Sequence, residues 1–230
     1  MFSVIFEVHP GEGQWDDYLG NAKMLRPELE RIDGFIDNVR YGSLTRDGWI
    51  LSLSGWRDEK SLVRWRTKAV HHNVQQKGRD SILSDYHLRV GQVVTDTHVP
   101  EGQHLLEQRL DETEVGAGTT VTLLSGRRGG GWVKDVGADG VATWLGLDTH
   151  AAGLLEWDVF DAVLTPGDVI LLLSWKSRDD AAAFQNSCSP ETGVRTRRIR
   201  VVRDYAMFDR REAPQYYPDA QGRPTVHNQP

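Results

Sequence analysis

Phe2, Val4, Phe6 and Val8 alternate with Ser3, Ile5 and Glu7, the period-two pattern of a half-buried strand. Pro10 to Gly13 ends it. Trp15, Tyr18, Leu19, Ala22, Leu25, Leu29 and Ile32 then recur every three or four residues, the apolar stripe of an amphipathic helix. Pro27 falls inside that stripe and lacks an N–H, which predicts a kink or interruption near Met24 to Arg26. Gly34 closes the helix as a C-cap. Residues 35–44 and 49–56 are strand-like and flank Thr45-Arg46-Asp47-Gly48, a hairpin signal. Asp58 is an N-cap for a second helix that carries Leu62, Trp65, Ala69 and His72 on its inner face. A fourth strand follows at about residues 86–94. Strand, helix, strand, strand, helix, strand is the ferredoxin-like order.

The pattern returns 119 residues later. Gly34, Gly48 and Trp56 recur as Gly153, Gly167 and Trp175, while Tyr41 and Trp65 recur in kind as Phe160 and Phe184. The match runs without a gap over residues 34–65, which predicts a duplication. Residues 1–95 form the first unit and 96–118 a polar linker with room for a short helix. The second unit spans 119–208, and 209–230 reads as a tail. In the second unit Gly129, Gly130, Gly131, Gly137, Gly140 and Gly146 weaken the first helix, at about 1 kcal/mol per interior glycine. The expected fold is α+β: two βαββαβ repeats packed sheet to sheet, so that one chain supplies both halves of a barrel.

A net charge of −6 and a pI near 5.7 disfavour a nucleic-acid partner, which would select a basic field. The one basic run, residues 195–203, alternates along a strand. Cys188 is the single cysteine and has no internal disulfide partner. The N-terminal residues lack the basic and apolar regions of a signal peptide, and no apolar run approaches the ~18 residues of a membrane span. The expectation is a cytoplasmic protein that binds a small molecule and neither nucleic acid nor membrane, as a monomeric pseudo-dimer or a homodimer.

Gly34-Phe35-Ile36 after a helix, a hairpin ending in Trp56, and Trp65 followed by His71-His72 resemble the antibiotic biosynthesis monooxygenase (ABM) domain of the dimeric α+β barrel superfamily. The likeness covers residues 1–95 throughout and the second unit mainly over 153–205. It implies a monooxygenase that oxygenates an electron-rich aromatic or polyketide-like molecule without metal or flavin. Such chemistry needs a base to form the substrate anion, which itself reduces O₂. Seven residues apart on one helix, Trp65 and His72 share a face, so His72 is the candidate base and His71 points away. Trp65, Tyr41, Trp56 and Tyr18 are the candidate pocket walls. Asn38 and Arg40 share one face of their strand and Tyr41 takes the other.

The resemblance also carries an alternative, a haem-binding or haem-modifying protein with His71 or His72 as axial ligand. The haem-degrading branch uses an asparagine on the first strand, where this chain has Glu7. A third reading is a non-catalytic binding module. His98, His104 and His150 lack the spacing of a zinc site, so no metal site is expected. Residues 126–131 lack the Gly-Lys-Ser/Thr ending of a phosphate loop.

Overall fold

A computed structural model of the chain describes residues 1–188 and 190–214. Its elements are β1 (Phe2–Pro10), α1 (Trp15–Glu30), β2 (Phe35–Ser43), β3 (Ile50–Trp56), α2 (Glu59–Arg66), α3 (Ala69–Lys77), a π-helical turn (Gly78–Ile82), and β4 (Leu83–Asp96). Then come β5 (Thr120–Arg127), α4 (Gly130–Leu145), β6 (Leu154–Ala162), β7 (Asp168–Trp175), α5 (Arg178–Ser187) and β8 (Arg195–Ala206). The strands close into one antiparallel barrel in the order β1-β3-β2-β6-β7-β5-β8-β4. Each half therefore lays its four strands in the same sequence, 4-1-3-2 in the first and 8-5-7-6 in the second. The hairpins β2–β3 and β6–β7 hold corresponding places and meet at Tyr41↔Ala162 and Ser43↔Phe160. The other seam, β4 with β8, is longer and runs from His87↔Ala206 to Asp96↔Arg197. Closure leaves no free sheet edge.

Alternation along each strand fills the barrel and the outer layers separately. Ile5, Leu51, Leu53, Leu123, Phe160 and Ile170 point inward and pack as one apolar core, the interior an eight-stranded barrel is just wide enough to hold. One end of that core is sealed by charge. Arg89, 1% exposed, donates to Glu7, to Glu156 at 3.3 Å and to Ser174 at 3.3 Å. Arg46, at the tip of the β2–β3 hairpin, reaches Glu7 at 2.5 Å and Asp158 at 2.7 Å, tying the two halves together.

Several local expectations are corrected. α1 is continuous through Pro27, which sits in its last turn, where a missing N–H costs one bond and no more of the helix. The single long second helix is two helices, because Lys68 is extended (φ −67°, ψ 128°) between α2 and α3. α4 forms over its full length despite its glycines and breaks only at Gly137 (φ 71°, ψ −180°). Residues 103–118 contain no helix. They run over the barrel, held by Arg109 N–H to Gln92 Oε1 (2.9 Å) and Thr113 N–H to Val201 O (2.9 Å). The first residues of the expected tail are packed: Ala213 is buried and Glu212 accepts from Thr113 Oγ1 and from Asp204 N–H. Residues 215–230 of that tail lie outside the described residues. No helix among the described residues is long and apolar enough to cross a membrane.

Candidate active site

On its outer face the first half encloses a cavity of about 230 Å³ between the sheet and helices α1, α2 and α3. The strand registers build its floor. One row runs Asn38–Ser54–Val4–Val90–Arg203 and the next Arg40–Ser52–Phe6–Leu88–Tyr205. Five strands at ~4.8 Å spacing make that floor at most about 19 Å wide. Ala22 and Leu25 from α1, Leu62 and Trp65 from α2, and His71 from α3 form the roof. In the second half the space between helices and sheet is filled. Val133, Val141 and Leu145 of α4 pack onto Leu171 and Trp175, with Trp132 and Trp144 against them.

The structure exchanges the two histidines. In one unbroken helix His72 would share the face of Trp65, but the extended Lys68 resets the helical phase. His71 now lies against the Trp65 ring, with centroids 4.2 Å apart and planes at 17°. His71 lines the cavity; His72 is exposed and does not. The Nδ1 of His71 is 3.1 Å from the Trp65 carbonyl oxygen. A proton on Nδ1 donated to that carbonyl leaves Nε2 as the acceptor. Burial pushes the His71 pKa down to about 4, so the imidazole is neutral near neutral pH. It is a proton acceptor in a cavity with apolar walls from Val4, Leu25, Leu62, Leu88 and Trp65.

The other expected wall residues divide. Trp65 and Tyr18 line the cavity, and burial raises the pKa of the Tyr18 phenol. Tyr41 does not: it points into the barrel and is part of the inner core, as its opposite face from Asn38 and Arg40 requires. Trp56 is fully buried against Phe35, with its indole N–H on Ser54 Oγ at 2.9 Å, and serves packing. Asn38 and Arg40 are cavity residues, and so are Arg66, Gln75, Arg203 and Tyr205, which sequence reasoning passed over. For Arg203 and Tyr205 the signal was present in the alternation of the basic strand. The curvature that brings this edge of β8 under α2 was not.

The lining is strongly cationic. Arg26, Arg40, Arg66, Arg79, Arg203 and Arg210 line the cavity against one carboxylate, Glu59. Glu59 is already engaged by Arg109 at 2.6 Å and Arg26 is paired with Glu30 at 2.7 Å, which leaves five arginines without a carboxylate among the described residues. Low-dielectric walls concentrate such a field and favour an anionic ligand.

A haem does not fit these residues. His72 lies outside the cavity, and one face of the His71 ring is covered by Trp65. The space of about 230 Å³ is below the ~300–1,000 Å³ usual for drug-sized ligands, and a porphyrin needs more.

The closed barrel of two like-ordered sheets, helices outside, defines a single-chain dimeric α+β barrel. Among solved structures it is similar to an aldoxime dehydratase in complex with butyraldoxime. That alignment covers 87% of this chain and 79% of the other, at 12% identity and a TM-score of 0.51. A second aldoxime dehydratase gives 87% and 80%, at 11% identity and a TM-score of 0.48. At 12% identity the first of these likenesses speaks for the fold alone. No protein-family profile matches the sequence. The chain is, however, 51% identical over 225 residues to a protein of Pyricularia oryzae named jasmonate monooxygenase ABM, across 96% of this chain and 100% of that one. It belongs to the antibiotic biosynthesis monooxygenase family and is an enzyme, an oxidoreductase of the monooxygenase type.

Proposed function

We propose that this enzyme introduces oxygen from O₂ into a small amphipathic carboxylic acid of the jasmonate kind, bound in the cavity beneath α1, α2 and α3. The observation that carries this reading is the lining itself, five arginines with no carboxylate partner among the described residues around apolar walls. Jasmonate is a cyclopentanone with a carboxylate arm and a hydrocarbon arm, and the name of the Pyricularia relative points to the same molecule. The walls offer aliphatic contact from Val4, Leu25, Leu62, Leu88 and Val90 beside the rings of Phe6, Tyr18 and Trp65, so the aromatic substrate expected from the sequence is the second reading. His71 is the residue placed to take a proton from the bound molecule or return it. In this reading the protein needs neither flavin nor metal. The carbanion left when His71 takes a proton next to the ketone adds O₂, and the hydroperoxide loses water. One oxygen atom stays as a new carbonyl, the other leaves as water, and all four electrons come from the substrate.

The test is incubation of chelator-treated, dialysed protein with jasmonic acid under isotopically labelled O₂, with products read by mass spectrometry. The expected result is an oxygenated acid carrying the label. Product that forms only after flavin or metal is added would overturn the cofactor-free part, and no product under any of these conditions would overturn the substrate. Ala22→Trp places an indole in the cavity from α1 and should abolish turnover while the protein stays folded. Unchanged turnover would move the chemistry elsewhere.

A further inference from the structure

Three buried side-chain atoms that line the cavity have no hydrogen-bond partner among the described residues: Arg40 Nε, Arg66 Nε and Gln75 Oε1. Leaving a buried polar group unpaired is unfavourable, and more so when it is charged. Arg89, Arg197, Arg198 and Arg200 leave the same Nε unpaired elsewhere, but these three atoms share one cavity with room for a ligand to meet them. Their chemistry and position say which ligand.

Arg66 ends α2, and Arg203 projects from β8 opposite Val90. No ion pair to a described residue is formed by either. Burial lowers the pKa of Arg66, and the nearby charge of Arg203 lowers it further. Two guanidinium groups of like charge are thus held near each other with Glu59 already spent on Arg109. Beside them the Tyr205 hydroxyl stays protonated, its pKa pushed up to about 12 by burial, and remains a neutral donor. At the opposite edge of the floor Arg40 neighbours Tyr18, and Asn38 Nδ2 donates to Ser52 Oγ at 3.1 Å. Between the two ends the floor is Val4, Phe6, Leu88 and Val90. The floor is therefore polar at both ends and apolar in the middle, with Arg203 beneath Arg66 at the β8 edge and Arg40 at the β2 edge.

We infer that the cavity binds its substrate as a two-headed molecule, with a free carboxylate held by Arg66 and Arg203 and an uncharged oxygen held by Arg40 at the other end. The inference rests on the reading that this cavity takes an amphipathic acid. The guanidinium fork matches a carboxylate and satisfies Arg66 Nε. Gln75, an amide, turns either its oxygen or its NH₂ to the ligand. Arg66 comes from the first half of the chain and Arg203 from the second. The second half thus supplies half of the anion clamp, although its own helix–sheet space is filled. Esterification or conjugation of the carboxylate removes the charge that the clamp selects, so free acids are the substrates and their esters are rejected.

The experiment is calorimetric titration of wild type, Arg66→Met, Arg203→Met and Arg40→Met with jasmonic acid and with its methyl ester. Wild type should bind the acid about 10- to 100-fold more tightly than the ester, the usual range for hydrogen bonds to a charged group. Arg203→Met and Arg66→Met should lose most of that factor on the acid and leave ester binding unchanged. Arg40→Met should weaken both ligands alike. Equal binding of acid and ester by wild type, or equal loss of both in Arg203→Met, would overturn the clamp. Without ligand, Arg66→Met and Arg203→Met should melt no lower than wild type, because each removes an unpaired cation. A lower melting temperature would make the residue structural and also overturn it. Binding without oxygenation would sink the substrate reading and leave the clamp standing. If neither jasmonate form binds, decanoate and its methyl ester are the second probe, and no preference for decanoate overturns the inference.

Discussion

His71 lies flat on Trp65, six residues earlier in the chain, with ring centroids 4.2 Å apart and Nδ1 3.1 Å from the Trp65 carbonyl oxygen. Residues six apart in an unbroken helix point well away from each other, at ~3.6 residues per turn. The two meet only because Thr67 and Lys68 end one helix and start another. His71→Ala should lower kcat by about 10²-fold or more, the usual worth of general acid–base help. His72→Ala should stay near wild type in both turnover and melting temperature, since that residue is exposed and outside the cavity. Steady-state kinetics on the two variants separate the histidines, and the reverse ranking would restore His72 as the base.

The same burial gives a pH dependence of stability. The His71 pKa falls from 6.5 to about 4 on folding. Between these values the unfolded chain binds a proton that the folded chain does not, so stability falls as pH drops through this window and is full above it. At ~1.36 kcal/mol per unit the effect reaches up to about 3 kcal/mol. Urea midpoints for wild type and His71→Gln, compared at pH about 7 and about 4.5, should show a steeper acid loss in wild type. Parallel losses in both proteins would show that His71 is solvated.

The like corners of the two halves were legible because their anchors are local. Asp58 caps α2 by accepting from Ser61 N–H at 2.7 Å, and 119 positions on Ser177 caps α5 by accepting from Asp180 N–H at 3.2 Å. Caps, turn glycines and strand alternation are written within a few residues. The break at Lys68 was not legible, since Trp65, Ala69 and His72 keep helical spacing across it. Nor was the clamp of Arg66 and Arg203, which joins residues far apart in the chain through the β4–β8 seam. Tyr41 shows the same limit from the other side. Its face was assigned by alternation, but only barrel closure decides that this face is core.

The charged plug at the barrel end should behave as a buried pair. Burial alone would raise the Glu7 pKa, but the charges of Arg89 and Arg46 turn the net shift downward. Arg89→Met removes the most buried member and should destabilise the fold by about 3–5 kcal/mol, the usual cost of stranding a buried partner. Arg89→Met with Glu7→Leu should recover much of that loss, because no stranded carboxylate remains. Chemical denaturation of the single and double variants checks this. A double variant no better than Arg89→Met would mean the arginine acts through packing alone.

Gly34 offers the sharpest test of the repeated corner. Its φ is +88°, and a Cβ added there would lie 2.1 Å from Ser61 Oγ, inside the cap of α2. Gly153 repeats the arrangement at φ +76°, with an added Cβ 2.1 Å from Asp180 Cγ. Each glycine also accepts from the chain leaving the hairpin, Gly34 O from Arg57 N–H at 2.8 Å and Gly153 O from Lys176 N–H at 2.9 Å. Two separate costs follow for Gly34→Ala: about 1–2 kcal/mol for a left-handed non-glycine residue, and a clash with the cap. Ser61→Ala removes the hydroxyl oxygen that the new methyl would meet first. Gly34→Ala with Ser61→Ala should therefore be more stable than the sum of the two single changes predicts, while still below wild type by the backbone cost and by the remaining contact with the residue-61 Cβ at 2.8 Å. Thermal melts of the three variants measure the coupling. Strict additivity would mean that the corner opens to admit the methyl, and that the glycine is kept for its backbone conformation alone.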